Sequence, residues 1–403
     1  MLIINRNFGL LWFGQLVSQV GDKAYNIVLM WWLLEKTASP IFVSSFLIAS
    51  LLPELIFGPV AGVYIDRWNK KRILVAADFI RGIVVLTLAV LYQLDMLSIG
   101  HIYIAALFIS FCSALFNPTT MAVIPLVVAK KELQRANALS QMVAGAVAII
   151  GPLLGASGMA FWGYVGVLVF NGCSYILSGI AAMFLRIGAG EVVAKESVFS
   201  ALAQGFRYIW SDERVSVVVI VVAVIHVFVG SIVVVMPFLA PLLAGSGIHN
   251  LGVLQAALGG GMIIGAVYVS KYGRGYFSGL TLFCAIAVMG VGIVMLGTLQ
   301  LIHIRFLVIY AVCCIIIGMC IAVVSVFWRT IAQICVPEDM TGRVFSVLST
   351  TGNISLPISM AIFGVLLNYV APASLLVFAG VCLLLIGIVL VYNIRPIFEG
   401  LRL

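Results

Sequence analysis

Gly62-Val63-Tyr64-Ile65-Asp66-Arg67-Trp68-Asn69-Lys70-Lys71-Arg72 is a short, strongly basic stretch between two apolar segments. Read as a tight loop, it sets Arg67, Lys70, Lys71 and Arg72 directly after a hydrophobic span. Such a cluster fixes a loop on the cytoplasmic side of a membrane. The rest of the chain fits that reading. Of its 403 residues, 64% are hydrophobic and 9% charged, against about 25% charged in an average soluble domain. A globular protein could not cover its surface with so few charges. The apolar residues run in blocks of about 20 or more, the length a helix needs to cross a bilayer. A transmembrane barrel would instead alternate apolar and polar residues in strands of about 10. The pattern predicts an all-α polytopic membrane protein.

Twelve transmembrane helices are expected near 8–34, 41–65, 73–93, 101–127, 137–160, 163–186, 215–243, 251–270, 276–299, 304–328, 343–368 and 373–394. With the N-terminus inside, 18 of the 22 Lys and Arg residues fall in cytoplasmic segments. Only Lys36 and Arg305 fall in external loops, and Lys23 and Arg81 lie within spans. This bias predicts a multi-pass protein of the plasma (inner) membrane with both termini cytoplasmic. The net charge of +8 is thereby explained by orientation and contact with anionic membrane lipids rather than by nucleic acid.

The longest hydrophilic stretch divides the chain into an N-terminal six-helix bundle (1–186), a cytoplasmic linker (187–214) and a C-terminal six-helix bundle (215–403). Within the linker, Val198, Ala201, Leu202, Phe206, Ile209 and Trp210 recur at helical spacing, which predicts an amphipathic helix on the inner membrane surface. A weak repeat relates the halves. Ala122 to Arg135 and Ala332 to Arg343 each run from an apolar span through an acidic-basic turn to an Arg opening the next helix. Six-helix halves related in this way place a substrate site near mid-membrane.

No GxxxxGK[ST] loop is present, and neither an HExxH motif nor another nucleophile or metal constellation appears. The chain therefore does not read as an enzyme, and it implies neither metal nor cofactor. Its eight cysteines lie in or near predicted spans without CxxC spacing and read as apolar fillers. The first apolar block is too long for a signal-peptide core and holds an internal charge, so it is expected to remain as an uncleaved span.

Gly58 and Gly62 precede Asp66 by eight and four residues. With the Asp66-Arg67 pair and the basic run after it, this resembles the loop between helices 2 and 3 of major facilitator superfamily transporters. Asn5-Arg6-Asn7-Phe8, Leu11-Trp12-Phe13-Gly14-Gln15 and Gly21-Asp22 are similar to the first helix of the macrolide-efflux-like drug–proton antiporters of that superfamily. The same holds for Leu52-Pro53, Phe57-Gly58-Pro59, Ala77-Asp78 with Arg81, Phe116-Asn117-Pro118, Ala136-Asn137-Ala138-Leu139 and Gly342-Arg343-Val344-Phe345-Ser346. The resemblance covers nearly the whole chain and implies the major facilitator fold of two pseudo-symmetric six-helix bundles. There are departures. Val147 and Ala156 stand where the helix 5 antiporter motif usually has glycines. Helix 4 has no arginine, and Val269 replaces the acid that would follow Gly261 and Gly265.

Charges inside a span cost about 2.5–3.5 kcal/mol on insertion scales and face a partner or water. At about 1.5 Å per residue, Asp22 and Lys23 lie roughly 20 Å from the cytoplasmic face, Glu54 roughly 15 Å and Arg81 roughly 12 Å. Asp78 lies nearer the inner interface, and His226 falls mid-span in the second half. Asp22 has two readings: a protonatable group lining the cavity, whose proton biases inward- against outward-facing states, or a hydrogen-bonded packing residue of helix 1. Lys23 points about 100° away around the helix. Glu54 follows the helix-kinking Pro53. It either forms a buried ion pair with Arg81 or is contested by substrate and proton. His226 is either a satisfied core residue or a coupling site.

Trp31 and Trp32, at the outer end of helix 1, read as an interfacial belt, and Tyr25 as a cavity residue. Gly151, Pro152 and Gly155 bring helix 5 close to a neighbour and leave it bendable. So do Gly259, Gly260, Gly261 and Gly265 in helix 8. Gly62, Asp66, Arg67, Arg72, Asp78 and Arg343 form the expected cytoplasmic gate, the resemblance implying that Asp66 and Arg67 latch the halves. Asp66 would meet the start of helix 11 near Gly342 and Arg343, where the helix dipole favours an anion.

The implied function is export of a hydrophobic or amphiphilic small molecule by alternating access, as a monomer, with protons as coupling ion. A lipid or lysophospholipid transporter or flippase of the same fold, without proton coupling, is the alternative. A sensor or channel-like protein is the third class.

Overall fold

The computed structural model describes residues 4–129, 132–187, 198–272, 279–336 and 338–393. Of the basic residues counted above, Lys130, Lys131, Lys195, Arg274, Arg395 and Arg402 lie outside this set. The side chains of Asp66, Arg67 and Arg343 and the surroundings of Gly62 lie outside it as well, so the expected latch falls beyond the described residues.

Every regular element among the described residues is helical. In order they are α1 (Arg6–Thr37), α2 (Pro40–Ala49), α3 (Leu52–Arg67), α4 (Lys70–Gln93), α5 (Ile99–Val127), α6 (Leu133–Met183), α7 (Val198–Ser211), α8 (Glu213–Leu239), α9 (Gly247–Tyr272), α10 (Gly279–Leu301), α11 (Leu307–Cys335), α12 (Glu338–Leu366) and α13 (Pro372–Asn393). The expected twelve-helix order emerges when α2 and α3 are joined as one broken helix, α6 is divided at its kink and α7 is set apart. Nine segments of the described residues are long and apolar enough to cross a membrane. Helix α1 is not among them. It carries Asp22 and Lys23 but also buries a run from Ile27 to Leu33 inside its unit, so much of it is screened from lipid.

Three breaks have local causes. Helix α2 stops at Ala49 and α3 starts at Leu52. Pro53 has no N–H to offer, and its ring would strike the carbonyl four residues earlier, that of Ala49. The 51-residue α6 departs from helical geometry only at Gly163, where φ is 64° and ψ −171°. A left-handed φ is costly for any residue with a Cβ, so one glycine makes the whole connection expected near 161–162. The opening stretch, read as a loop, is helical through Arg67, with Trp68 and Asn69 alone between helices. Asn69 then caps α4, its Oδ1 accepting from the Arg72 N–H at 3.2 Å. An Asn cap suffices to turn the chain in two residues.

The chain forms two compact units, one of Met1–Ala38 with Ser45–Lys195 and one of Ser39–Ser44 with Glu196–Leu403. In the first, α1 lies between the two halves of α6. The N-terminal half meets it at glycines: a Cβ on Gly155 would lie 2.8 Å from Ala24 Cα. The C-terminal half meets it through Asn171, Ser174 and Ser178, against Gly21 and Gly14. Such small-residue seams are how membrane helices pack closely. Pro152 sits within continuous helix.

In the second unit, α9 packs on α11 through Gly261, Gly265 and Gly318, and α10 on α13 through Gly290 and Gly380. The apparent echo of Gly58 by Gly261 is one of sequence only. Nothing lies within 4 Å of a Cβ built on Gly58, whereas one on Gly261 would strike the Ile315 backbone. Amphipathic α7 buries Ile209 while Phe206 and Trp210 stay 56% and 57% exposed, an aromatic pair at 5.9 Å.

Candidate functional site

The polar residues of the first unit gather into one chain of contacts. Helix α1 supplies Asp22, whose carboxylate Oδ1 accepts the hydroxyl hydrogen of Tyr175 on α6. Tyr175 is fully buried. With Asn171, Ser174 and Ser178 it forms an i, i+3, i+4, i+7 stripe, which is one face of a helix. Gly21 on α1 makes room for that face, since a Cβ there would come within 2.6 Å of Ser174 Oγ.

Helix α4 supplies Asp78 and Arg81, buried at 0% and 3% exposure. They are ion-paired one turn apart, and Arg81 Nε also donates to the Ala77 carbonyl at 3.3 Å. The guanidinium lies 4.2 Å from the ring centroid of Phe116 and 4.6 Å from that of Tyr175. Stacking between two aromatic faces suits the planar guanidinium and is lost to a lysine. Tyr175 thus serves two charges at once, its ring facing Arg81 and its hydroxyl facing Asp22. Arg81 also acts on Asp22 at longer range, as do Lys23 and Glu54.

Glu54 sits in the first turn of α3, just beyond the break in helix 2. Its backbone N–H, left without a partner inside the helix, donates to Ser110 Oγ at 3.2 Å. Its Oε1 accepts from Asn117 Nδ2 at 2.6 Å. Among the described residues the ion pair of Arg81 is with Asp78, so the expected Glu54–Arg81 pair is replaced by an amide–carboxylate contact. Phe116 and Asn117, adjacent on α5, tie the two clusters together, one under Arg81 and the other on Glu54.

Four buried polar atoms have no hydrogen-bond partner among the described residues: Tyr25 Oη, Asp78 Oδ2, Thr120 Oγ1 and Asn171 Nδ2. Buried polar groups are nearly always satisfied, so these mark places for water or a polar ligand group. Lys23 is turned away from Asp22 and stands exposed beside Gly151. His226, in the second unit, contacts the Val222 carbonyl through Nδ1 at 2.7 Å. That contact leaves Nε2 beside Gly352. His226 is half-buried, so both readings of it stay open.

Trp31 and Trp32 correct the expected belt. Both are buried, at 9% and 4% exposure. Trp31 Nε1 donates to Glu35 Oε1 at 2.6 Å, and Tyr164 donates to the other oxygen. Phe161 and Trp162, beside the turn of α6, are exposed at 83% and 57%. Sequence reasoning passed over Glu35, Tyr164 and Tyr175. The last two sit in apolar runs, where a tyrosine looks like packing. The asparagines of the opening motif prove to be ties. Asn5 Nδ2 donates to the Val127 carbonyl at 2.6 Å and Asn7 Nδ2 to that of Arg186 at 2.9 Å.

Comparison with known proteins agrees with this architecture. A family model described as transmembrane secretion effector matches residues 3–400. Macrolide efflux protein A of Streptococcus pyogenes is 24% identical over 393 residues, covering 95% of this chain and 94% of that protein. A putative bacilysin exporter of Bacillus subtilis is 25% identical over 373 residues, covering 91% and 89%. Among solved structures, an auto-inhibited POT family peptide transporter superposes with a TM-score of 0.79 at 12% identity, covering 99% of this chain and 98% of that one. At that identity the likeness concerns the fold.

Proposed function

The chain belongs to the transmembrane secretion effector family of the major facilitator superfamily, and on that premise we propose that it exports a hydrophobic or amphiphilic small molecule in exchange for protons. Two relatives named for macrolide efflux and bacilysin export support the outward direction. The basic-residue bias supports cytoplasmic termini, and we take the protein to act as a monomer of the plasma membrane.

The charge balance around Arg81 carries the coupling reading. One guanidinium faces Asp78 directly and Asp22 at longer range. Among the groups joined through Tyr175, with Lys23 exposed and Glu54 held by Asn117, two ionised carboxylates against one cation leave an excess negative charge in a membrane interior, where unbalanced charge is costly. One proton on the cluster cancels it. With Asp22 ionised, Tyr175 donates to it. With Asp22 protonated, the carboxyl gains a hydrogen to give, and Tyr175 or the unpartnered Tyr25 hydroxyl can accept. The proton therefore alters a tie between α1 and α6. A device that reads a proton gradient needs such a link between protonation and helix contact.

The test is macrolide transport in proteoliposomes with an imposed pH gradient. Asp22→Asn should abolish gradient-driven accumulation while sparing downhill exchange, and Glu54→Gln should weaken accumulation. Unchanged gradient-driven transport in both variants removes the coupling assignment.

A further inference from the structure

A second feature of the first unit is independent of what is transported. A groove of about 590 Å³ runs between α4 and α5, within the roughly 300–1,000 Å³ typical of small-molecule sites. From α4 and its Asn69 cap it takes Asn69, Arg72, Ile73, Ala76, Ala77 and Ile80, spaced as one helix face. From α5 it takes Phe108, Phe111, Cys112 and Leu115, again i, i+3, i+4, i+7. Ala76 and Ala77 keep the floor low, while Ile80, Phe108 and Phe111 stand 45%, 55% and 43% exposed as walls. Phe57 on α3 braces Phe111 edge-on at 5.3 Å, so that wall is fixed.

The two ends of the groove differ. Its deep end is wholly apolar. Its mouth carries Trp68, Asn69 and Arg72, and the first turn of α4 holds Lys70, Lys71 and Arg72 with no acid. Cations at a helix N-terminus add to the positive end of the dipole instead of offsetting it, so this turn favours an anion from outside. From residue 69 to residue 80 the helix rises about 16 Å at 1.5 Å per residue. That is about half of a 30 Å hydrocarbon core, the depth of one leaflet. A basic, tryptophan-flanked mouth at the interface over an apolar trough one leaflet deep matches, in length and polarity, a lipid headgroup and one acyl chain.

We infer that the α4–α5 groove binds one anionic phospholipid, its phosphate at Arg72 and the α4 first turn and an acyl chain along Ala76, Ile80, Phe108 and Phe111. Each basic group near an anionic headgroup contributes about 1 kcal/mol, so Arg72 alone is worth about fivefold in preference.

Trp68 supplies the probe. The full-length protein is placed in phosphatidylcholine nanodiscs containing increasing amounts of phosphatidylglycerol brominated on one acyl chain. The Trp68 contribution to fluorescence is taken as the difference from Trp68→Phe. Half-maximal quenching should need about fivefold less brominated phosphatidylglycerol than brominated phosphatidylcholine. Arg72→Gln should erase that difference and Arg72→Lys should keep most of it. Ala76→Phe, which fills the exposed floor, should weaken quenching by brominated phosphatidylglycerol in a protein that still elutes as a single species. Equal quenching by the two lipids would reduce the groove to ordinary lipid contact. A phosphatidylglycerol preference that survives Arg72→Gln would show that the headgroup is held elsewhere. Displacement of the lipid by a macrolide, with no effect of Arg72→Gln, would make the groove a drug site. Any of the three overturns the assignment.

Discussion

Tyr175 donates its hydroxyl hydrogen to Asp22 across 153 positions of sequence while its ring stacks on Arg81. The two roles can be separated. Tyr175→Phe keeps the ring and removes the donor, leaving a carboxylate short of a charged hydrogen bond, a loss of about 1.5–3 kcal/mol. Tyr175→Leu removes the stacking as well and should cost up to about 2 kcal/mol more. Reversible unfolding in bicelles would rank them. Equal stability of the two variants would show that the ring contributes nothing.

The buried pair Asp78–Arg81 should behave asymmetrically. Arg81→Met strands Asp78 at a site with no exposure and should cost about 3–5 kcal/mol. Asp78→Asn together with Arg81→Met should recover part of that, because no lone charge remains. Arg81→Lys should be intermediate, keeping the charge but losing the sandwich between Phe116 and Tyr175. A double-mutant cycle on purified protein gives the coupling energy, and a cycle that sums to zero would count against the pair.

Gly155 and Gly58 form a matched contrast. A methyl group on Gly155 would press on the Ala24 backbone, whereas one on Gly58 meets open space. Gly155→Ala should cost about 1–3 kcal/mol through overpacking of the α1–α6 seam. Gly58→Ala should be neutral or stabilise by up to about 1 kcal/mol, since alanine suits a helix interior better. Thermal unfolding in detergent distinguishes them, and similar shifts would mean that the seam yields.

Asn117→Ala deprives Glu54 of its amide donor, and Asn117→Asp sets a second carboxylate against it. If the Asn117–Glu54 contact shapes the transport cycle, the aspartate variant should depress drug export more than the alanine variant, and Asn117→Gln should retain more than either. Everted-vesicle export assays at matched protein levels would test the order. Equal activity in all three would assign Asn117 to packing.

The elements were largely legible from the chain because the membrane imposes so simple a requirement. Every backbone polar group must be satisfied within the segment, so long apolar runs become helices. The break at Ala49 could be read from Pro53, and the turn within α6 from an apolar run twice the length of one span. The amphipathic α7 showed in its spacing. Side-chain partners were less legible, because depth along a helix does not determine direction around it. Glu54 and Arg81 share a depth, yet each found a nearer partner in Asn117 and Asp78. Tyr175 could not be paired with Asp22 before α6 was known to fold back along α1. Trp31 and Trp32 looked interfacial because composition cannot distinguish a helix facing lipid from one enclosed by neighbours.

The single-residue turn at Gly163 sets the rotational phase of everything after it. Each added residue would swing the following half of α6 by about 100°, carrying Asn171, Tyr175 and Ser178 off the α1 face. Chain length at this bend is therefore fixed by chemistry some 12 residues further on. The turn at 94–98, which leads into Ser98-capped α5, does not separate two helix halves that grip the same partner. For sidedness mapping or attachment of a reporter, the tolerant position is this second turn, and an insertion at Gly163 would silence the carrier while leaving its spans in the membrane.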